Sequence, residues 1–125
     1  MLVQYAVENY KSIKEEVVIN YSVDDKYKDT KWVIKNEELA KPLYKCIGLI
    51  GPNASGKTNI IDSFIFAMRF ISNTIRRKES APIRVTPFSF DKSYIDKATS
   101  FEFIYYYENI KYVYGFSINS KEILE

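Results

Sequence analysis

An α/β fold is predicted for this chain, and three observations predict it. The run Cys46-Ile47-Gly48-Leu49-Ile50 is short and mostly apolar, as expected of a strand covered on both faces. A loop bounded by Gly51 and Gly56 follows it without a gap. Beyond the loop, Ile60, Ile61, Phe64, Ile65, Phe66, Met68, Phe70 and Ile71 crowd a stretch long enough for a helix. They occupy nearly its whole circumference, so this helix is expected to be buried and not merely amphipathic.

The other elements follow in chain order. Leu2-Val3-Gln4-Tyr5-Ala6-Val7 reads as an opening strand, and Asn9-Tyr10-Lys11-Ser12 supplies turn chemistry after it. Val17–Ser22 reads as a second strand, antiparallel to the first. From Asp24 to Lys41 the sequence is charged and polar, with Tyr27, Trp32, Val33, Ile34 and Leu39 as anchors. This stretch is expected to be a surface excursion with a short strand around Trp32–Ile34. Pro42 precedes the strand that enters the loop. The long helix should run from Thr58 towards Arg76-Arg77-Lys78, a basic cluster that reads as a solvated helix end favoured by the dipole, or else as a binding patch. Pro82 and Pro87 bracket a loop or edge segment. Ser100–Tyr107 and Ile110–Ile118 are strand candidates, with Glu108-Asn109 between them as a tight hairpin. Their aromatic residues could stack bases, but aromatics alternating along a hairpin more commonly face a core.

Composition bounds the function. The chain has 125 residues, enough for one small domain with a core. Aromatic content is high, at 16%, which favours strands over a helical bundle. The formal net charge of +2 is too small to argue for nucleic-acid binding on electrostatic grounds. No histidine is present, which excludes a histidine general base, a Ser-His-Asp triad and histidine-ligated zinc within this polypeptide. Cys46 is the single cysteine, so no internal disulfide can form, and it is expected to be a small core residue. Neither a secretory signal nor an apolar stretch able to span a bilayer is seen, and a cytoplasmic location is expected.

The chemistry is concentrated in Gly51-Pro52-Asn53-Ala54-Ser55-Gly56-Lys57-Thr58, which fits G-x-x-x-x-G-K-[ST], the Walker A phosphate-binding loop. Gly51 and Gly56 stand where a side chain would crowd the bend or block close approach. Consecutive backbone N–H groups can turn inward around phosphate oxygens. Lys57 brings a point charge to the β- and γ-phosphates of ATP, and the Thr58 hydroxyl is placed to ligate Mg²⁺, a hard cation that prefers oxygen. The helix that follows aims its positive end at the same anion.

Other expected parts of a nucleotide hydrolase are not found in the sequence. No catalytic carboxylate can be assigned after Thr58: neither Asp91 nor Asp96 follows four apolar residues, and Asp62 lies within the helix. Three residues before Gly48, Gly51, Gly56 and Gly115 stand Lys45, Gly48, Asn53 and Tyr112, so the Asp-x-x-Gly of a GTPase is missing, as is Asn-Lys-x-Asp. No Gly-Gly pair exists to build a nucleotide-capping Ser-Gly-Gly.

The order of elements resembles the N-terminal lobe of ABC-type ATPase heads of the SMC and recombination-repair group. In that group the loop typically reads Gly-x-Asn-Gly-Ser-Gly-Lys-Ser-Asn. Asn53, Ser55 and Asn59 match it, while Ala54 replaces a Gly and Thr58 a Ser. The later segments Val85-Thr86-Pro87-Phe88, Phe101-Glu102-Phe103 and Tyr112-Val113-Tyr114-Gly115-Phe116 are similar to stand-alone ATP-binding proteins related to abortive-infection and overcoming-lysogenisation-defect ATPases of AAA type. The resemblance implies a P-loop NTPase fold: an antiparallel β-subdomain beside a RecA-like core strand and the P-loop helix. It implies ATP and Mg²⁺, a homodimer through the ATPase heads, and a switch acting on DNA or on an effector such as a nuclease or toxin. Residues 1–125 would then be the N-terminal part of one ATPase domain, its Walker B and capping motif lying elsewhere. Lys11 and Ser12 match the turn that lies near the nucleotide in such heads, or form an ordinary strand turn. Two other readings stay open: a truncated or split module that binds a nucleotide or partner without turnover, and a small-molecule P-loop kinase.

Overall fold

The structure is a computed structural model that describes residues 1–36, 39–74 and 82–124. Strands β1 (Leu2–Glu8), β2 (Val17–Asn20), β5 (Thr99–Tyr107) and β6 (Ile110–Ile118) form an antiparallel sheet in the order β2-β1-β5-β6. Two short strands, β3 (Val33–Ile34) and β4 (Leu43–Tyr44), pair with each other beside it. The helix α1 spans Lys57–Thr74, and a single turn, α2, spans Lys92–Ile95.

Alternation decides which face of the sheet is buried. Val17, Val7, Phe101 and Phe116 lie in one row across the four strands, and Ile19, Tyr5, Phe103 and Tyr114 in the next. The opposite face carries Glu8, Ser100, Glu102 and Ser117, so the sheet is wetted on one side only. Glu108 and Asn109 both adopt positive φ, 46° and 66°, which matches the right-handed twist of the two strands they join.

Helix α1 lies on the apolar face. Phe64 meets the ring of Tyr5 edge-on at 5.1 Å, Phe66 stacks on Phe101 at 5.8 Å, and Phe70 stacks on Phe116 at 5.3 Å. Ser63 and Ala67, both fully buried, are small enough to let the helix approach the strands. The buried hydroxyl of Tyr5 donates to Ser63 Oγ at 2.8 Å, and Ser63 in turn donates to the Ile60 carbonyl. Each ring pair contributes about 0.5–1.5 kcal/mol beyond its area. An exposed ion pair contributes about 0–1 kcal/mol. The aromatic interface therefore holds the helix, and the four ion pairs among the described residues, all at least partly solvated, do not.

Asn9 organises the connection between sheet and loops. It is fully buried with φ of 56°, a left-handed conformation that Asn tolerates. Its Nδ2 donates to the carbonyls of Tyr94 (2.9 Å) and Lys97 (2.7 Å), and its Oδ1 accepts the Phe88 N–H at 2.9 Å. Thr99 Oγ1 donates to the Asn9 carbonyl at 2.7 Å.

Several expectations are corrected. Cys46–Ile50 forms no strand: Ile50 is 98% exposed and Cys46 is exposed, not a core residue. A strand covered on both faces needs neighbours, and among the described residues no strand pairs with this segment. The expected RecA-like core strand is thus an unpaired segment without regular secondary structure here. Helix α1 is not enclosed either. Ile61, Ile65 and Met68 are exposed because the sheet covers only one side of it. The second strand ends at Asn20, with Ser22 reaching Leu43 as an isolated bridge. The short strand expected around Trp32 excludes Trp32 itself, which is exposed. Arg76-Arg77-Lys78 lies outside the described residues. Among the described residues no helix is long and apolar enough to cross a membrane.

Two outcomes are expected. Asn9→Ala removes the acceptor of the Phe88 N–H and the donor to the Tyr94, Lys97 and Ala98 carbonyls, and should cost about 3 kcal/mol in denaturant unfolding. Lys14, at 2.9 Å, together with Ser93 holds the Asp91 carboxyl down at about 2, from an ordinary 3.8. Its folded value is depressed, so its contribution to stability is complete above the ordinary carboxylate range and is lost as pH falls through about 2. Carboxyl NMR titration should show that midpoint for Asp91, and Lys14→Ala should raise it.

Candidate functional site

The loop Gly51–Gly56 leads directly into α1, whose first residues are Lys57 and Thr58. Two of its residues have left-handed backbones: Gly56 with φ of 89° and Ala54 with φ of 62°. Gly56 needs its freedom twice over, because a Cβ there would also meet Ser12 Oγ at 3.3 Å. At Gly51 a Cβ would come within 3.0 Å of Ser55 Oγ. Ala54 holds with a methyl group a conformation that a Gly would adopt freely.

These backbone angles leave a row of donors available. Ser55 N–H bonds to the Pro52 carbonyl, and the N–H groups of Asn59 and Ile60 bond to the Gly56 carbonyl. Among the described residues the N–H groups of Asn53, Ala54, Gly56, Lys57 and Thr58 make no backbone hydrogen bond. They stand at the N-terminus of an 18-residue helix, where the dipole adds positive potential. The Lys57 ammonium lies over the same loop, donating to the carbonyls of Gly51 (2.8 Å) and Pro52 and to Ser55 Oγ (3.2 Å). Thr58 is exposed at the start of the helix, an oxygen donor for a hard cation. Mg²⁺ demands few protein ligands, because it keeps waters and takes phosphate oxygens. Among the described residues no group of three or more His, Cys, Asp or Glu could hold a metal by itself. One hydroxyl beside a phosphate cradle fits such an ion.

The turn after β1 is fastened to this loop and helix. Lys11 has φ of 50°, and its N–H donates to the Thr86 carbonyl at 2.9 Å. Ser12 Oγ accepts from Asn59 Nδ2 at 2.6 Å. Lys11 Nζ and the Tyr10 hydroxyl both bond to Asp62 Oδ2, at 2.6 and 2.7 Å. Asn59 and Asp62 are three residues apart, hence neighbours on one helix face. The Lys11 ammonium, with help from Tyr10, holds the Asp62 carboxyl below its usual range. Burial, followed by the nearby Asp62 carboxylate, pushes the Tyr10 phenol up.

The structure therefore brings Gly51, Pro52, Asn53, Ala54, Ser55, Gly56, Lys57, Thr58, Asn59 and Ser12 around one loop. Lys11 stands one step away, turned to Asp62. Sequence reasoning does not single out Asp62, because it sits inside the helix and fits no catalytic motif. Its spacing from Asn59 is the signal that could have found it. Beside the loop, an apolar cleft of about 490 Å³ is lined in part by Tyr5, Tyr21, Leu49, Lys57, Thr58 and Phe64.

Residues 46–125 match the model of a family described as "AAA domain, putative AbiEii toxin, Type IV TA system". That span begins at Cys46 and includes the whole loop. None of the curated proteins and none of the solved structures matches the chain.

Gly56→Ala should lower stability by about 2 kcal/mol, since a Cβ is strained at that φ and crowds Ser12. Ala54→Gly should raise it by about 0.5 kcal/mol, the relief of strain exceeding the added entropy of the unfolded chain. Urea unfolding of both variants beside the parent checks the two opposite signs.

Proposed function

Since the chain belongs to this family of AAA domains and is an ATP-binding P-loop module, we propose that Gly51–Thr58 grips the triphosphate of ATP with Mg²⁺ and that the complete ATPase hydrolyses it to switch an effector. The observation that carries this reading is the row of unbonded N–H groups at the helix N-terminus with Lys57 above it. The amides of Asn53, Ala54, Gly56, Lys57 and Thr58 surround the phosphates, and Lys57 leaves the loop carbonyls to meet the β- and γ-phosphate oxygens. The Thr58 hydroxyl would hold Mg²⁺, which would supply positive charge against the phosphates. The 490 Å³ cleft offers an apolar wall to the nucleoside, within the range of volumes typical for such ligands. Ser12 and Lys11 position the loop from the sheet side. Closure of two heads on the nucleotide, and action on DNA or on a nuclease or toxin partner, belong to the same proposal.

A second reading is binding without turnover by these residues alone. It is favoured by the state of Asp62, the carboxylate nearest the loop in sequence. Both Tyr10 and Lys11 bond to its Oδ2, which ties that oxygen to the turn.

Calorimetry with ATP and magnesium separates these ideas from their absence. The parent chain should bind, and Lys57→Ala should weaken binding by about 10- to 100-fold, as a charge-assisted hydrogen bond is removed. Equal affinity in the variant would refute the role of Lys57. Phosphate release by the parent above that of Lys57→Ala supports hydrolysis, and binding without release supports the second reading.

A further inference from the structure

Beyond the phosphate loop, a cleft of about 430 Å³ runs along the flank of α1, between that helix and the segment around Arg84–Thr86. Its helical wall extends from Asp62 to Asn73, about 16 Å of helix axis. Three cations line it, Lys11, Arg69 and Arg84, against one carboxylate, Asp62. That carboxylate is already engaged by the Tyr10 hydroxyl and the Lys11 ammonium. Arg69 and Arg84 are exposed, and neither forms an ion pair among the described residues. The floor between them is apolar, formed by Ile65, Phe66 and Phe70. We propose that this cleft is a second anion site, which takes a phosphate group carried by a nucleic-acid strand or by a small phosphate ester.

Three physical features support it. Two guanidinium groups that form no ion pair among the described residues, Arg69 acting on Asp62 only at longer range, are forked donors shaped to bond phosphate oxygens in pairs. An apolar floor strengthens such bonds by excluding water from one side. Lys11 is held in place by its own backbone bond to Thr86, on the far wall of the cleft, so the third cation is pre-positioned. The surplus of positive charge is local. The whole chain carries only +2, and the cleft alone carries three cations to one carboxylate. Because Lys11 adjoins Ser12 and shares Asp62 with Tyr10, an anion in the cleft would act on the same turn that buttresses Gly56.

The test uses the full chain carrying Lys57→Ala, so that the phosphate loop contributes as little as possible and failure there is not mistaken for failure here. Pyrophosphate binding is read by calorimetry, and binding of a fluorescein-labelled oligothymidylate by anisotropy across a salt series. At least one probe should bind, and adding Arg69→Ala with Arg84→Ala should weaken it tenfold or more while thermal unfolding stays unchanged. If the oligonucleotide binds, the slope of log affinity against log salt should shrink by about 1.4 in the double variant, about 0.7 for each phosphate that no longer meets a guanidinium. Binding of the strand identifies nucleic acid as the source of the phosphate, and binding of pyrophosphate alone identifies a small ester. If neither probe binds, or if the arginine variants bind as well as their parent, the proposal is overturned.

Discussion

The turn between β1 and β2 is the joint on which the rest of this structure depends. Asn9, Tyr10, Lys11 and Ser12 are consecutive, yet they reach different parts of the chain. Asn9 draws in the loops around Phe88, Tyr94 and Lys97. Tyr10 and Lys11 converge on Asp62, and Ser12 reaches Asn59. A turn in which Asn9 and Lys11 both have positive φ makes this divergence geometrically feasible. Its backbone is pinned by reciprocal bonds between Tyr10 and Ile13. The sheet, the loop and the helix consequently meet at one place, and that place is directly behind Gly56.

The division of labour between apolar and polar interactions follows from where each is found. Stacked and edge-on rings hold α1 along its middle and far turns, from Phe64 to Phe70. Near the loop they give way to hydrogen bonds and an ion pair, with Asp62 and Lys11 each about 40% exposed. Solvent screens that pair, so it sets orientation more than it adds stability. Packing fixes the helix, and polar bonds aim its first turn.

Much of the sheet was legible because its signals are local. The alternation in Thr99–Tyr107 and Ile110–Ile118, with Glu108-Asn109 between them, specifies a hairpin without reference to the remaining chain. The loop Gly51–Thr58 was legible for the same reason, since its glycines and lysine are contiguous. What could not be read is what lies beside an element. The apolar run Cys46–Ile50 promised a covered strand, but a run of side chains carries no information about whether a neighbouring strand is present. Helix α1 is apolar nearly all round, so its sequence could not say that the sheet takes one side and leaves Ile61, Ile65 and Met68 exposed. Asn9 looked like ordinary turn chemistry, because the groups it bonds are 79–90 residues away in the chain.

The exposure of Cys46 has a practical corollary. It is the only sulfhydryl of the polypeptide, and it lies on an unpaired segment ahead of the first loop glycine. An alkylating fluorophore would therefore attach at one address, next to the phosphate loop. Unprotected in air, the same atom offers two chains a route to covalent cross-linking that no amount of core packing opposes.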